Sequence, residues 1–364
     1  MNISILLPYK ENYSPTYAGA VSIFVNSTSK ISKFKKNIKV YGSTNYTKFL
    51  SKNYENIDLK KNFLSSQSKD YVKKFLEIQK KNKPDIIEVH NRPIYINDLV
   101  EINSKIVLYF HNDPISMSGS KTVNERISLL NKCEKIIFNS EWSKKQFLLK
   151  LNSFYYKSKK LEVIHQSINK TKIDFNNKKK IIVFVGKLNS AKGYDIFADA
   201  ITKILNKYDD WRAIVIGDEP REKIELYHKN LKNLGFTKHS RVLETFKKSS
   251  IAVACSRWEE PFGRTSLEAS SRGCAVIISN RGGLPETITN GIILKKLNNR
   301  ELFISIENLI LNKKKLKQLQ FQSYNNFFLT DNYSSSKIDK YRDKIKKNLS
   351  INIKSSKPSN YLKI

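Results

Sequence analysis

Two glutamates, Glu260 and Glu268, stand eight positions apart in SRWEEPFGRTSLEASSRGCAVIISNRGGLPE, residues 256–286, in a chain otherwise dominated by lysine, asparagine and isoleucine. The run before them, IAVACS, reads as a buried strand. TSLEASSRG reads as a short helix closed by Gly273, a residue suited to a helix C-terminus. Phe262 and Gly263 come just before that helix. Its first N–H groups have no partner inside it, so the backbone around Arg264 and Thr265 is set to grip phosphate oxygens. Glu268 is one turn further in, where a carboxylate can take up a pair of ribose hydroxyls. Glu260 lies in the preceding loop, within reach of a sugar. One glutamate alone would read as a solvated side chain. Two of them around Pro261-Phe262-Gly263, at a strand end, read as a site for a nucleotide sugar.

A second stretch, VFVGKLNSAKGYDIFADA, has a strand ending at Gly186, a loop with Lys187 and Lys192, and a helix beginning after Gly193. Two lysines beside a helix N-terminus can neutralise a diphosphate. Neither a G-x-x-x-x-G-K-[ST] loop nor a G-x-G-x-x-G fingerprint is present. On these residues alone, a plain strand–turn–helix with surface lysines fits as well as a phosphate cradle.

These elements need a scaffold, and 364 residues with 40% hydrophobic and 11% aromatic content can bury two cores. Wholesale disorder is excluded. No apolar run reaches membrane-spanning length, and MNISILLPYKEN meets Pro8 and Lys10 too early for a signal peptide, so it is expected to be a strand. Cys133, Cys255 and Cys274 are dispersed, without metal-ligand spacing. They are expected to be reduced core thiols in a cytosolic protein, with no zinc site. The formal net charge of +33 admits a polyanionic partner, nucleic acid or an anionic membrane. The lysines are scattered in short groups along the whole chain, however, and most of them read as solvated surface.

Strand-like runs (Ile3 to Leu7, Ile38 to Tyr41, DIIEVH, KIVLYFH, KIIFNS, LEVIHQ) alternate with helical patterns such as KDYVKKFLEIQKKNK, NERISLLNKC and SEWSKKQFLLKL. Near-continuous apolar strands separated by helices predict an α/β fold with a parallel sheet covered on both faces. A polar passage, SINKTKIDFNNKKK, interrupts the alternation, which restarts at IIVFVG and runs through YDIFADAITKILNKY, RAIVIGD, EKIELYHKNLKNL, IAVACS and AVIIS. The expected division is a first domain over 1–168, a linker over 169–180, a second domain over 181–325, a helix over 326–348 and a basic tail over 349–364. Two doubly wound domains would hold a ligand between the carboxyl ends of their strands.

The second half resembles glycosyltransferase family 4, the retaining enzymes of GT-B fold. The family's E-x7-E motif is matched by Glu260, Pro261, Phe262, Gly263, Leu267, Glu268 and Ala269, and its GG-x-PE turn by Gly282-Gly283-Leu284-Pro285-Glu286. Ala275 stands where the family's G-x-P-V has proline. Gly186-Lys187 and Lys192-Gly193 stand for its GR…KG, with lysine keeping the charge of arginine but not its fork. The resemblance implies two Rossmann-like domains facing across a cleft, with NYSSSKIDKYRDKIKKN as a last helix crossing back to the first domain. Residues implied at the donor are Gly186, Lys187, Lys192, Glu260, Phe262, Gly263, Arg264, Thr265 and Glu268. Glu260, His111 and Lys192 are the implied catalytic group, His111 being preferred over His90. Gly19-Ala20 are the acceptor-side candidates for a glycine-rich loop.

What the resemblance implies is hexosyl-type transfer from a nucleoside-diphosphate sugar to an acceptor hydroxyl with retention. Lysines and a helix N-terminus would stabilise the leaving diphosphate, without metal or cofactor; no D-x-D motif occurs. Implied acceptors are lipid-linked sugars, lipopolysaccharide cores or capsule precursors, used in the cytoplasm at the inner face of the membrane. KISKFKKNIK and Lys60-Lys61 are candidate contacts to anionic lipid. Two other readings remain: a nucleic-acid- or polyanion-binding protein, for which no module or stacking stripe is present, and another GT-B enzyme, an epimerase or phosphorylase.

Overall fold

The structure is a computed structural model that describes residues 1–59 and 66–355. Lys60, Lys61 and the tail from 356 lie outside the described residues. The first half runs β1 (Ile3–Leu6), α1 (Ala20–Ile31), β2 (Ile38–Gly42), β3 (Tyr54–Asn56), α2 (Gln67–Lys81), β4 (Ile86–His90) and α3 (Ile96–Leu99). It continues with β5 (Lys105–Phe110), α4 (Val123–Lys132), β6 (Lys135–Phe138), α5 (Glu141–Leu148) and β7 (Leu161–Val163). The second half has β8 (Lys179–Val185), α6 (Tyr194–Lys207), β9 (Arg212–Ile216), β10 (Leu231–Asn233), α7 (His239–Lys248) and β11 (Ser249–Ala254). Then come α8 (Arg264–Ser271), β12 (Ala275–Ser279), β13 (Ile292–Leu294), α9 (Asn299–Leu311), α10 (Lys313–Asn325) and α11 (Asp331–Ser355).

Among the described residues the strands form a seven-stranded sheet, β3-β2-β1-β4-β5-β6-β7, and a six-stranded sheet, β10-β9-β8-β11-β12-β13. Neighbours within both pair in parallel. Both sheets reverse direction beside their first strand, the order of doubly wound nucleotide-binding folds, and that switch point is where such sheets bind ligands. Helices on both faces explain the unbroken apolar runs. Ile86 and Ile87, consecutive in β4, are fully buried in separate clusters on opposite sides of the first sheet.

Two segments depart from expectation. EKIELYHKNLKNL, expected to continue the helical alternation, holds no helix; it runs irregularly into β10. Ile224 and Leu226, spaced by two, both pack on the second core, a period that suits extended chain. The next connection, from β10 to β11, does carry a helix, α7, HSRVLETFKK, whose few apolar residues include the buried Val242 and Phe246.

The chain passes between the domains twice, and the two passages lie side by side. Ile168 N donates to Leu329 O at 3.1 Å, and Ser167 Oγ to Asp331 Oδ1 at 2.8 Å. After the return, α11 lies on the first domain, as the resemblance implies. Arg342, 2% exposed, makes two 2.7 Å hydrogen bonds to the carboxylate of Glu88, 1% exposed. Tyr341 donates to the same carboxylate. Lysine helix faces are polar enough to float on a surface; a buried bidentate ion pair needs one geometry, and so fixes α11 in register.

Candidate functional site

The loop after β8 is shaped by its neighbours. Asn189 accepts Lys192 N at 3.0 Å and closes a single 3-10 turn, Ser190–Lys192. Gly193 then starts α6 at φ +71, and a Cβ there would sit 1.9 Å from Cys255 O. Only glycine lets the two loops approach this closely. The consequence is that Lys192 reaches the loop after β11, where its Nζ pairs with Glu260 and lies 4.6 Å from the ring centre of Trp258.

On the other side, Gly263 (φ +112) opens α8 without a side-chain cap. The first N–H groups of α8 therefore lack intrahelical partners. They face a cavity of about 240 Å³ walled by Gly186, Lys192, Ser256, Glu260, Arg264 and Thr265. Arg264 Nη1 is buried without a hydrogen-bond partner among the described residues. The helix N-terminus and the unused Nη1 donor of Arg264 suit the pocket to an anion, while Lys192 and Arg264 are each also paired with a carboxylate, Glu260 and Glu268. Phe262 is not on this wall. It is 2% exposed and packs behind the loop with Ile168, Leu267, Phe327 and Leu329, so it fixes the loop rather than lining it.

Glu268 faces the wider cleft, a space of about 740 Å³ that Gly186, Lys187, Arg264 and Thr265 also border. Its Oε1 lies 2.7 Å from Arg264 Nε and 2.8 Å from His239 Nε2. Burial pushes its carboxyl up, but the charge of Arg264 and the bond and charge of His239 outweigh this and hold it below the usual range. It is therefore an ionised acceptor at neutral pH. His239 has no counterpart in the sequence reading: it is a lone histidine 29 residues away, and only the packing of α7 beside α8 reveals it.

The first domain supplies the opposite wall. Ala20 borders the cleft with Thr16, Tyr17 and Ile23. Gly19 instead backs onto Glu11: a Cβ there would lie 2.0 Å from Glu11 Oε1, and that carboxylate accepts Ser22 N at 3.0 Å. The N-terminus of α1 is thus filled by the chain's own carboxylate, whose pKa burial raises. Tyr17 stacks on Phe236 of the second domain, ring centres 5.1 Å apart. His111 follows β5 and is 7% exposed. Its Nε2 is 2.9 Å from His90 Nδ1, and its Nδ1 is 3.3 Å from Gln166 Nε2. It borders neither cavity. Burial and the neighbouring His90 hold its pKa well below the ordinary value, and burial takes His90 down to about 3.

The structure thus brings Gly186, Lys192, Glu260, Gly263, Arg264 and Thr265 round one cavity, with Lys187, Glu268 and Ala20 on the adjoining cleft. Phe262, Gly19 and His111 stand behind it. Glu286, the last residue of GGLPE, ties the domains together: its carboxylate accepts Glu141 N at 2.7 Å and Trp142 N at 3.0 Å, the first N–H groups of α5. His165 Nε2 lies 3.0 Å from the same group.

Residues 165–326 match the family model described as Glycosyl transferases group 1. The matched stretch holds the second sheet and the whole anion pocket. Spore coat protein SA of Bacillus subtilis is 32% identical over 158 residues, 39% of this chain and 42% of that protein. The lipopolysaccharide core biosynthesis mannosyltransferase LpsB of Rhizobium meliloti is 29% identical over 123 residues, 31% of this chain and 35% of LpsB. The chain therefore spans less than half the length of these two relatives. Over the whole fold, the crystal structure of Anabaena HepE in complex with UDP superimposes with a TM-score of 0.71 and 16% identity, covering 94% of this chain and 100% of that one. The architecture is GT-B.

Proposed function

We propose that this protein transfers a glycosyl group from a nucleoside-diphosphate sugar to an acceptor hydroxyl, with retention at the anomeric carbon. The observation that carries the reading is the order of groups along the cleft. An anion pocket at the α8 N-terminus lies between a ribose-type acceptor, Glu268, and a lysine–carboxylate pair, Lys192–Glu260. That is the order in which a nucleotide sugar carries its nucleoside, diphosphate and sugar. As the bond to the sugar breaks, negative charge grows on the diphosphate, and Lys192, Arg264 and the α8 N–H groups are already in place to stabilise it. Lys187 at the mouth adds charge.

A carboxylate held by a lysine is a weakened nucleophile. The pairing of Glu260 thus favours same-face attack, in which the leaving phosphate accepts the acceptor's proton while Glu260 orients the sugar hydroxyls. The chemistry proposed needs no metal. The group 1 match over the second domain and the UDP-bound GT-B neighbour support a nucleotide-sugar donor, with UDP-sugars tested first. LpsB supports a lipid-linked or lipopolysaccharide acceptor, which would place the work at the cytoplasmic face of a membrane. Among the described residues no helix is long and apolar enough to cross one.

A thermal-shift screen over UDP-, GDP- and ADP-sugars tests the proposal. A ligand in large excess over its Kd adds roughly 2 to 4 kcal/mol of stability. No shift with any of them would overturn it. Analysis of products from labelled donor separates transfer from epimerisation or phosphorolysis.

A further inference from the structure

In a parallel sheet every strand begins at the same end, and in the first domain that end gathers lysines that are scattered in sequence. Lys35 and Lys36 precede β2, Lys81 and Lys83 precede β4, and Lys157 and Lys159 precede β7. All six are exposed, and none makes an ion pair among the described residues. The far end of α11 adds Lys346 and Lys347, because Leu349 borders a hollow of about 430 Å³ in this face, beside Lys83 and Lys160. Three of the acids here are already engaged: Asp85 with the N-terminus, Glu101 with Lys80, and Glu134 with Lys105. The cleft end differs. The loops after β1, β4 and β5 and the start of α5 set Lys10, Arg92 and Lys121 against Glu11, Asp113 and Glu141.

One corner of the basic face also carries exposed hydrophobic side chains. Residues 142–161 contain six lysines and no carboxylate. Within them Phe154 is 80% exposed, Tyr156 50% and Leu149 45%. Rings flanked by lysines suit the boundary between headgroups and acyl chains. Lysines near an anionic leaflet attract it by about 1 kcal/mol each.

We propose that the strand-start face of the first domain is a docking surface for an anionic lipid bilayer, with Phe154 and Tyr156 entering the headgroup layer. Charge complementarity favours lipid, and the protruding aliphatic Leu149 beside the rings favours a bilayer over a nucleic acid. The inference goes beyond glycosyl transfer and its test needs no activity. The face lies opposite the cleft, so a membrane-borne acceptor must carry enough glycan to reach over the height of the domain.

Sedimentation with phosphatidylcholine vesicles, with and without phosphatidylglycerol, tests it on the full chain. Binding is expected only with the anionic lipid and is expected to weaken as salt rises. The variant Lys83→Glu/Lys157→Glu/Lys159→Glu is expected to bind at least roughly tenfold more weakly. The matched control Lys313→Glu/Lys314→Glu/Lys315→Glu, on exposed positions of α10 in the second domain, is expected to bind as the parent does. Phe154→Ser/Tyr156→Ser is expected to weaken binding without changing its salt dependence. Unchanged melting temperatures verify that the variants are folded. Equal loss in both triple variants, or no preference for anionic vesicles at low salt, would overturn the proposal. Tighter retention on polyuridylic acid than on anionic vesicles, lost in the first triple variant, would overturn it in favour of a nucleic-acid surface.

Discussion

Lys192 and Glu260 are joined across the floor of the cleft, tying the loop after β8 to the loop after β11 at the point where the second sheet reverses direction. Their side chains are 25% and 13% exposed, so the pair is shielded without being sealed. A ligand entering the anion pocket meets both at once.

If Lys192 stabilises the leaving diphosphate, Lys192→Ala is expected to lower turnover roughly a hundredfold, the scale of losing one preorganised donor to developing charge. Glu260→Ala is expected to lower turnover with a smaller loss of nucleotide affinity. Steady-state kinetics and calorimetry with free nucleoside diphosphate measure the two quantities separately. Equal affinity losses in Glu260→Ala and Glu268→Ala would refute the division between sugar and ribose.

Glu268→Ala is expected to weaken nucleoside diphosphate binding by about 1 to 3 kcal/mol, because it removes an ionised acceptor and leaves Arg264 and His239 unpaired. His239→Ala is expected to have the same direction and a smaller size. Calorimetry on both variants would show it. If His239→Ala proves the worse of the two, the histidine contacts nucleotide directly.

Transfer is expected to survive a chelator, since lysines, an arginine and a helix N-terminus carry the charge of the diphosphate in the proposed chemistry. Loss of activity in EDTA with recovery on adding magnesium would show that a divalent ion shares that task.

Glu286 offers a test by acid. Burial raises its carboxyl, but His165 and the N–H groups of Glu141 and Trp142 together hold it below the ordinary range. A depressed folded value means the contribution to stability is complete above the unfolded value and is lost as pH falls through the folded one. Parent protein is therefore expected to lose stability below about pH 4.3, and Glu286→Gln to show a shallower slope there. At neutral pH the variant is expected to melt lower, by an amount matching about 1 kcal/mol for a weakened helix cap. Thermal melts at several pH values measure both.

Replacing one partner of the Arg342–Glu88 pair strands a buried charge, so Arg342→Leu is expected to cost about 3 to 5 kcal/mol. Adding Glu88→Leu is expected to restore much of it. Denaturant midpoints of the two variants decide whether the pair or the packing holds α11.

Much of the architecture was legible because burial on both faces writes itself as continuous apolar strands, and the anion pocket because Glu260 to Glu268 keep their order in one continuous segment. His239 was not legible, since its partner Glu268 lies on another helix. Phe262 sits within the same motif as Glu260 and Gly263, yet it faces the core; a motif string carries no direction for its side chains. EKIELYHKNLKNL misled because a lysine-rich stretch with sparse apolar residues matches a helix face as well as an extended edge. The lysines looked dispersed because charge was counted along the chain, whereas a parallel sheet sorts its loops by end.

The adjoining passages at Ile168 and Leu329 confine how the two domains can move. Two chain segments bonded side by side strain least when tilted about their common line, and any tilt that widens the cleft must also break the bonds of Glu286 to the start of α5. Phe262 packs against both Ile168 and Leu329. Any rocking of the domains therefore presses on the back of the loop that carries Glu260, and the width of the cleft and the position of that carboxylate cannot be set independently.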